Sequence, residues 1–210
     1  MKLSPRCRPM SDRVALVTGS TSGIGAAIAR RLAHDGYVVD FAARPLLCLD
    51  TPGHARHHLC VHDARSSAFF TGDTFGLSYR EFDTDKGAFI LPTSTPVQFE
   101  PEALKASIAR MLSYQPQQMF LTHYSRVTEV QRLAGDLYVQ IDAMVQIARA
   151  HAGDSDRHQR IADDLANLYI TRAKAHGVAF EAARIRELLA MDIELNAQGL
   201  EVWLDREAKA

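Results

Sequence analysis

The sequence predicts a mixed α/β fold built from two unequal parts, and three observations predict it. Residues 13–44 spell strand, glycine turn, helix and strand. From Leu46 to Tyr124, short strand-like runs end in turns that carry His54, Asp73 and His123. Beyond about Val127 the apolar residues repeat at helical spacing.

Arg13–Val17 is a short apolar run leading into Thr18-Gly19, as a buried parallel strand would. The turn Gly19-Ser20-Thr21-Ser22-Gly23-Ile24-Gly25 then opens a helical pattern with Ile28 and Leu32 on one face and Gly36 as its stop. Tyr37–Phe41 reads as the next strand. Pro45 marks a change of texture, and the seam is placed between Arg44 and Leu49, dividing the chain into units 1–44 and 45–210. Leu46–Leu49 is strand-like and runs into the turn Asp50-Thr51-Pro52-Gly53-His54. Leu59–His62 and Ser67–Thr71 flank the polar Asp63-Ala64-Arg65-Ser66, which predicts a hairpin with Asp63 starting its turn. Pro101 is placed to open a helix over Glu102–Leu112. Met119–Leu121 predicts a strand ending at Thr122-His123-Tyr124. Helices follow through Leu137, Ile141, Met144, Val145 and Ala148, through Ile161, Leu165 and Leu168, and over Ala182–Glu194. A break at Asn196–Gly199 is expected before Leu200–Trp203.

The 210 residues suffice for one good-sized domain, or one with an attached unit. A hydrophobic fraction of 47% with 23% charged residues supports a sizeable core. The net charge of −1 gives no electrostatic case for a nucleic-acid or anionic-membrane partner. Cys7, Cys48 and Cys60 make an odd count without C-x-x-C spacing, which argues against disulfides and thiolate zinc. The opening MKLSPRCRP is basic but leads into no apolar stretch, so the expectation is a cytoplasmic protein without a secretory signal.

A strand that feeds a glycine turn into a helix start presents backbone N–H groups and the helix dipole to an anion. At Thr18–Gly25 the wording T-G-x-x-x-G-I-G resembles the cofactor turn of the short-chain dehydrogenase/reductase family, with the match running from about Arg13 to Arg44. The resemblance makes Gly19, Ser22, Gly23, Ile24, Gly25 and Arg44 the cofactor-binding positions, with Arg44 suited to a 2′-phosphate. The family's Tyr-x-x-x-Lys pair is missing: Tyr169 is followed four residues on by Ala173. No NADP chemistry is therefore expected, and the segment is read as vestigial.

His54, Asp73 and His123 each sit in a turn just after a strand-like run, where loops distant in sequence can converge. Two imidazoles and a carboxylate suit zinc, with manganese or iron as alternatives. The words T-P-G-H (51–54), G-D-T (72–74) and L-T-H-Y (121–124) resemble the C-terminal half of the metallo-β-lactamase hydrolase superfamily. That resemblance implies a partial αββα sandwich with a substituted N-terminal strand–helix–strand unit and a helical C-terminal tail. It also implies that His54 ligates one metal, Asp73 bridges two and His123 ligates the second. The family's H-x-H-x-D-H motif is absent, so the chain reads as a fusion or rearrangement.

The function expected on this basis is metal-dependent hydrolysis, in which a metal-bound hydroxide attacks an activated ester and Asp73 orients the water or acts as base. A phosphoester is preferred to a thioester or lactone. The alternative is a non-catalytic nucleotide-binding or metal-binding remnant. His57, His58, His62 and Asp63 are the neighbours able to add ligands, although one of the first two is expected to pack and the other to face solvent. Tyr79, Arg80 and Tyr124 are candidate substrate contacts with a structural role as the simpler reading. A half sandwich leaves an apolar sheet face, which predicts a homodimer.

Overall fold

The computed structural model of the chain describes residues 38–40, 45–94 and 98–209. The strand expected at Arg13–Val17, the turn Gly19–Gly25 with Ser22, Gly23 and Ile24, and Arg44 lie outside the described residues.

Six strands form one sheet in the order of the chain: β1 (Val38–Asp40), β2 (Pro45–Asp50), β3 (Leu59–Asp63), β4 (Ala68–Phe70), β5 (Gln118–Leu121) and β6 (Ser125–Val127). Every neighbouring pair is antiparallel except β4 and β5, which are parallel. The anticipated seam therefore falls inside the sheet, since Val38 pairs with Leu47 across it. Pro45 opens β2, a strand position that tolerates its missing N–H.

Strand alternation decides which side is covered. Leu49 faces Cys60 and Phe69 faces Met119 on one side of the sheet, and all four are buried. Their neighbours point the other way: Phe70 is 47% exposed and stacks on Phe120. The first face joins Leu104, Ile108 and Met111 of helix α1 (Pro101–Leu112) in one core cluster. Those three residues and Pro101 recur at the spacing of a single helical stripe, and Pro101 occupies the start of the helix as expected.

Asp63 closes the β3–β4 hairpin. It is almost fully buried, accepting from the Arg65 amide at 3.1 Å and from the Ser66 hydroxyl.

The tail comprises α2 (Val130–Ala150), α3 (Arg157–His176), α4 (Ala182–Leu188) and α5 (Ala190–Glu207). Two sequence expectations are corrected here. The stretch from Val127 does not turn helical at once. Tyr124 and Ser125 adopt left-handed φ values of 73° and 83°, which fold the chain back as β6 before α2 begins. The break also lies at Leu189 rather than at Asn196–Gly199, and α5 runs unbroken through those residues. Asn196 disturbs helices when its amide competes for local backbone. Here that amide is engaged by Pro92, Ser94 and Tyr169, all far away in sequence.

Candidate metal centre

Strands β2, β4 and β5 run in the same sense, because two antiparallel steps separate β2 from β4 and a parallel one joins β4 to β5. Their C-terminal ends therefore lie on one side of the sheet, and the loops leaving them carry His54, Asp73 and His123. Ligand sites in sheets with co-directional strands characteristically form at this end. His54 Nε2 lies 3.6 Å from Asp73 Oδ2, and His123 Nε2 lies 3.4 Å from Asp73 Oδ1.

The His54 loop is packed from behind. At Gly53, with φ +132°, an added Cβ would sit 2.2 Å from the Leu104 backbone, so only glycine lets the loop approach α1 this closely. The Glu100 amide donates to Gly53 O and the Ser107 hydroxyl to Pro52 O. The His54 ring is then oriented by Thr93. The Thr93 hydroxyl donates to Asp73 O at 3.0 Å, which leaves its oxygen as an acceptor, beside Thr93 O, for His54 Nδ1 at 3.1 and 3.2 Å. The proton is thereby assigned to Nδ1, and Nε2 presents its lone pair toward Asp73. Burial holds His54 below the ordinary imidazole pKa, against the opposing pull of the Thr93 carbonyl and Asp73. Such a tautomer-fixing partner is the usual support of a histidine that binds metal.

His58, weighed as an additional ligand, has another task. Its Nε2 accepts from the Asp73 amide at 2.9 Å, so Nδ1 carries the proton toward the Thr74 hydroxyl at 2.8 Å. Both nitrogens are spent on holding the G-D-T turn. Burial, then the neighbouring His54, push its pKa down to about 4. Gly72, at φ +51°, is the residue that admits this ring, since an added Cβ would lie 2.3 Å from His58 Cε1. His57 is half-buried. His62 stacks against Phe69 and Tyr114, and Asp63 caps its hairpin; neither is placed with Asp73 by any of these contacts.

Among the described residues Asp73 Oδ1 is buried with no hydrogen-bond partner, His123 Nε2 being near at 3.4 Å, a costly condition for a carboxylate oxygen unless something else engages it. Two ligands on one tetrahedral zinc stand about 3.4 Å apart when each bond is about 2.1 Å. Both His–Asp separations match that edge. The two edges, however, use different carboxylate oxygens, and among the described residues no group of three or more His, Cys, Asp or Glu is arranged to hold one ion. The donor set thus offers one carboxylate with His54 beside one oxygen and His123 beside the other, while His58, 4.0 Å from Oδ2, is held by the Asp73 amide.

Thr93 was not singled out in the sequence. It sits 39 residues from His54, inside a proline-rich loop with no motif of its own. Arg80 is committed to Asp83 and Ser78, whereas Tyr79 and Tyr124 pack against one another near His123.

No known family pattern matches the chain. A stretch of 39 residues is 62% identical to "Dehydrogenase/reductase SDR family member 4" of Mus musculus, covering 19% of this chain and 14% of that protein. A stretch of 35 residues is 66% identical to the human "Dehydrogenase/reductase SDR family member 2, mitochondrial", covering 17% of this chain and 12% of that one. The chain thus spans about one seventh of the length of these curated relatives. Among solved structures, it is similar to an archaeal metallo-beta-lactamase superfamily protein from Sulfolobus tokodaii. The two are 19% identical with a TM-score of 0.46, over 79% of this chain and 49% of that one. It is also similar to a metallo-beta-lactamase family protein from Thermus thermophilus, 17% identical with a TM-score of 0.47, over 74% of this chain and 47% of that one.

Proposed function

We propose that this chain carries the C-terminal metal-binding half of a metallo-β-lactamase-like hydrolase and acts on an activated ester with the help of a divalent transition metal. The observation that carries the reading is the convergence of His54 Nε2 and His123 Nε2 on the two oxygens of Asp73. Zinc is the first choice for these donors and manganese or iron the next. A bound metal would lower the pKa of a coordinated water and polarise the ester. The chain's own residues supply the rest: Thr93 fixes the His54 tautomer, His58 and Thr74 hold the Asp73 turn, and Asp73 offers the carboxylate that orients water or takes its proton. Phosphoesters are preferred to thioesters and lactones.

The same proposal places the protein in the cytoplasm as a homodimer, with no nucleic-acid or membrane partner. Phe70 and Phe120, stacked on the sheet face turned away from the core cluster, support the dimer. Among the described residues no helix is long and apolar enough to cross a membrane.

A second reading, a non-catalytic metal-binding remnant, is favoured by one observation: among the described residues no three His, Cys, Asp or Glu side chains are arranged to hold one ion. A panel of phosphomonoesters, phosphodiesters, thioesters and lactones, assayed with added zinc or manganese and again with chelator, separates the two. Chelator-sensitive phosphoester turnover that disappears in both His54→Ala and His123→Ala is expected. Metal uptake without turnover anywhere in the panel establishes the remnant.

A further inference from the structure

The hairpin that carries His123 is bent in a costly way. Tyr124 and Ser125 hold left-handed φ values of 73° and 83°, a region that side-chain-bearing residues rarely occupy and that recurs at functional sites. The bend lays Tyr124, 46% exposed, against Tyr79 with ring centroids 4.4 Å apart and planes tilted by 34°. Tyr79 is itself anchored from the tail. Its hydroxyl donates to Asp192 Oδ2 at 2.7 Å, in the first turn of α5. Burial, then the Asp192 carboxylate, hold that phenol above the ordinary tyrosine range, so it stays a donor. Burial raises the Asp192 carboxyl pKa above the ordinary value, against the opposing hydrogen bond from Tyr79.

These contacts make an aromatic platform. One ring is backed by a hydrogen bond to a helix, and the other is supported by the first and still open to solvent. A ring already seated against a neighbour loses less freedom when a ligand stacks on it, which favours binding. The centroid of Tyr124 is 6.4 Å from that of His123, a span that one small aryl ester covers.

We propose that the Tyr79–Tyr124 pair is the subsite for a flat aromatic group, making aryl esters the substrate class of the neighbouring metal centre. The proposal rests on the hydrolase reading, so its test avoids both metal and turnover. Metal-free protein is titrated calorimetrically with 4-nitrophenol and, as an aliphatic comparison, with cyclohexanol.

The wild type is expected to bind 4-nitrophenol more tightly than cyclohexanol. Tyr124→Ala should weaken 4-nitrophenol by about two- to tenfold, the worth of one aromatic pair. Tyr124→Phe, which keeps the ring, should retain the affinity and show that the loop still folds. Tyr114→Ala removes a partly exposed ring elsewhere, beside His62 and Phe69, and should change nothing. Absence of 4-nitrophenol binding, equal binding of cyclohexanol, or an unchanged Tyr124→Ala overturns the proposal.

Discussion

Replacing Asn196 by alanine should unsettle the candidate centre from a distance. Asn196 lies in the middle of α5, 2% exposed, and its amide makes three hydrogen bonds. Oδ1 accepts from the Ser94 amide at 2.8 Å, while Nδ2 donates to Pro92 O at 3.2 Å and to the Tyr169 hydroxyl at 2.9 Å. Two of these partners flank Thr93, the residue that orients His54. The substitution leaves three buried polar groups short of a partner, each costing about 1–2 kcal/mol. Tyr169 keeps a weaker contact to Met144 Sδ at 3.5 Å, which lowers its share. Alanine returns roughly 0.6 kcal/mol of helix propensity. The net loss should be roughly 3–5 kcal/mol, a large part of the 5–15 kcal/mol typical of a domain. Urea unfolding followed by circular dichroism would read it as a lower midpoint at an unchanged slope. A loss below about 1 kcal/mol would refute the reasoning.

Gly53→Ala should destabilise by on the order of 3 kcal/mol, because its Cβ meets the Leu104 backbone rather than a movable side chain; a melting temperature equal to wild type would count against the packing described. The pH dependence has a definite sign. His151, hydrogen-bonded by Asp164 and then Asp154, and His158, hydrogen-bonded by Glu201 with Glu194 adding to it, have pKa values raised above the ordinary imidazole value. Their contribution is complete below about pH 6.5 and is lost as pH rises through the raised values. The melting temperature should therefore fall less steeply above pH 6.5 in His151→Gln than in the wild type, and identical slopes would exclude the effect. Nicotinamide oxidation with a set of carbonyl substrates should stay at background, since the Tyr-x-x-x-Lys pair is missing. Light scattering should return twice the 23.3 kDa chain mass, and a monomer with full activity would disprove the dimer.

The sequence announced elements whose cause is local. Pro101 with its apolar stripe announced α1, and Asp63 with Ser66 announced the β3–β4 turn. The three site residues stood out because each occupies a turn with distinctive wording, and Gly53 and Gly72 in those turns serve close approaches that only glycine permits. What escaped depends on long-range contacts. Thr93 matters through a histidine 39 positions away, and Asn196 through a loop about 100 positions away. The same distant contacts misplaced the helix break, because the sequence shows a helix-disfavouring residue but not the partners that satisfy it. That one of His57 and His58 packs was legible, while which one, and the bond of His58 to the Asp73 amide, were not, since a register is needed to bring β3 beside β4.

The most direct test of the central claim is the metal content of the protein by atomic emission after zinc loading and desalting, measured for wild type, His54→Ala, His123→Ala and Asp73→Ala. Bound zinc is expected in the wild type, with a reduced content in each histidine variant and the largest loss in Asp73→Ala, whose two oxygens face His54 and His123. Equal zinc in all four proteins, or none in the wild type, would contradict it.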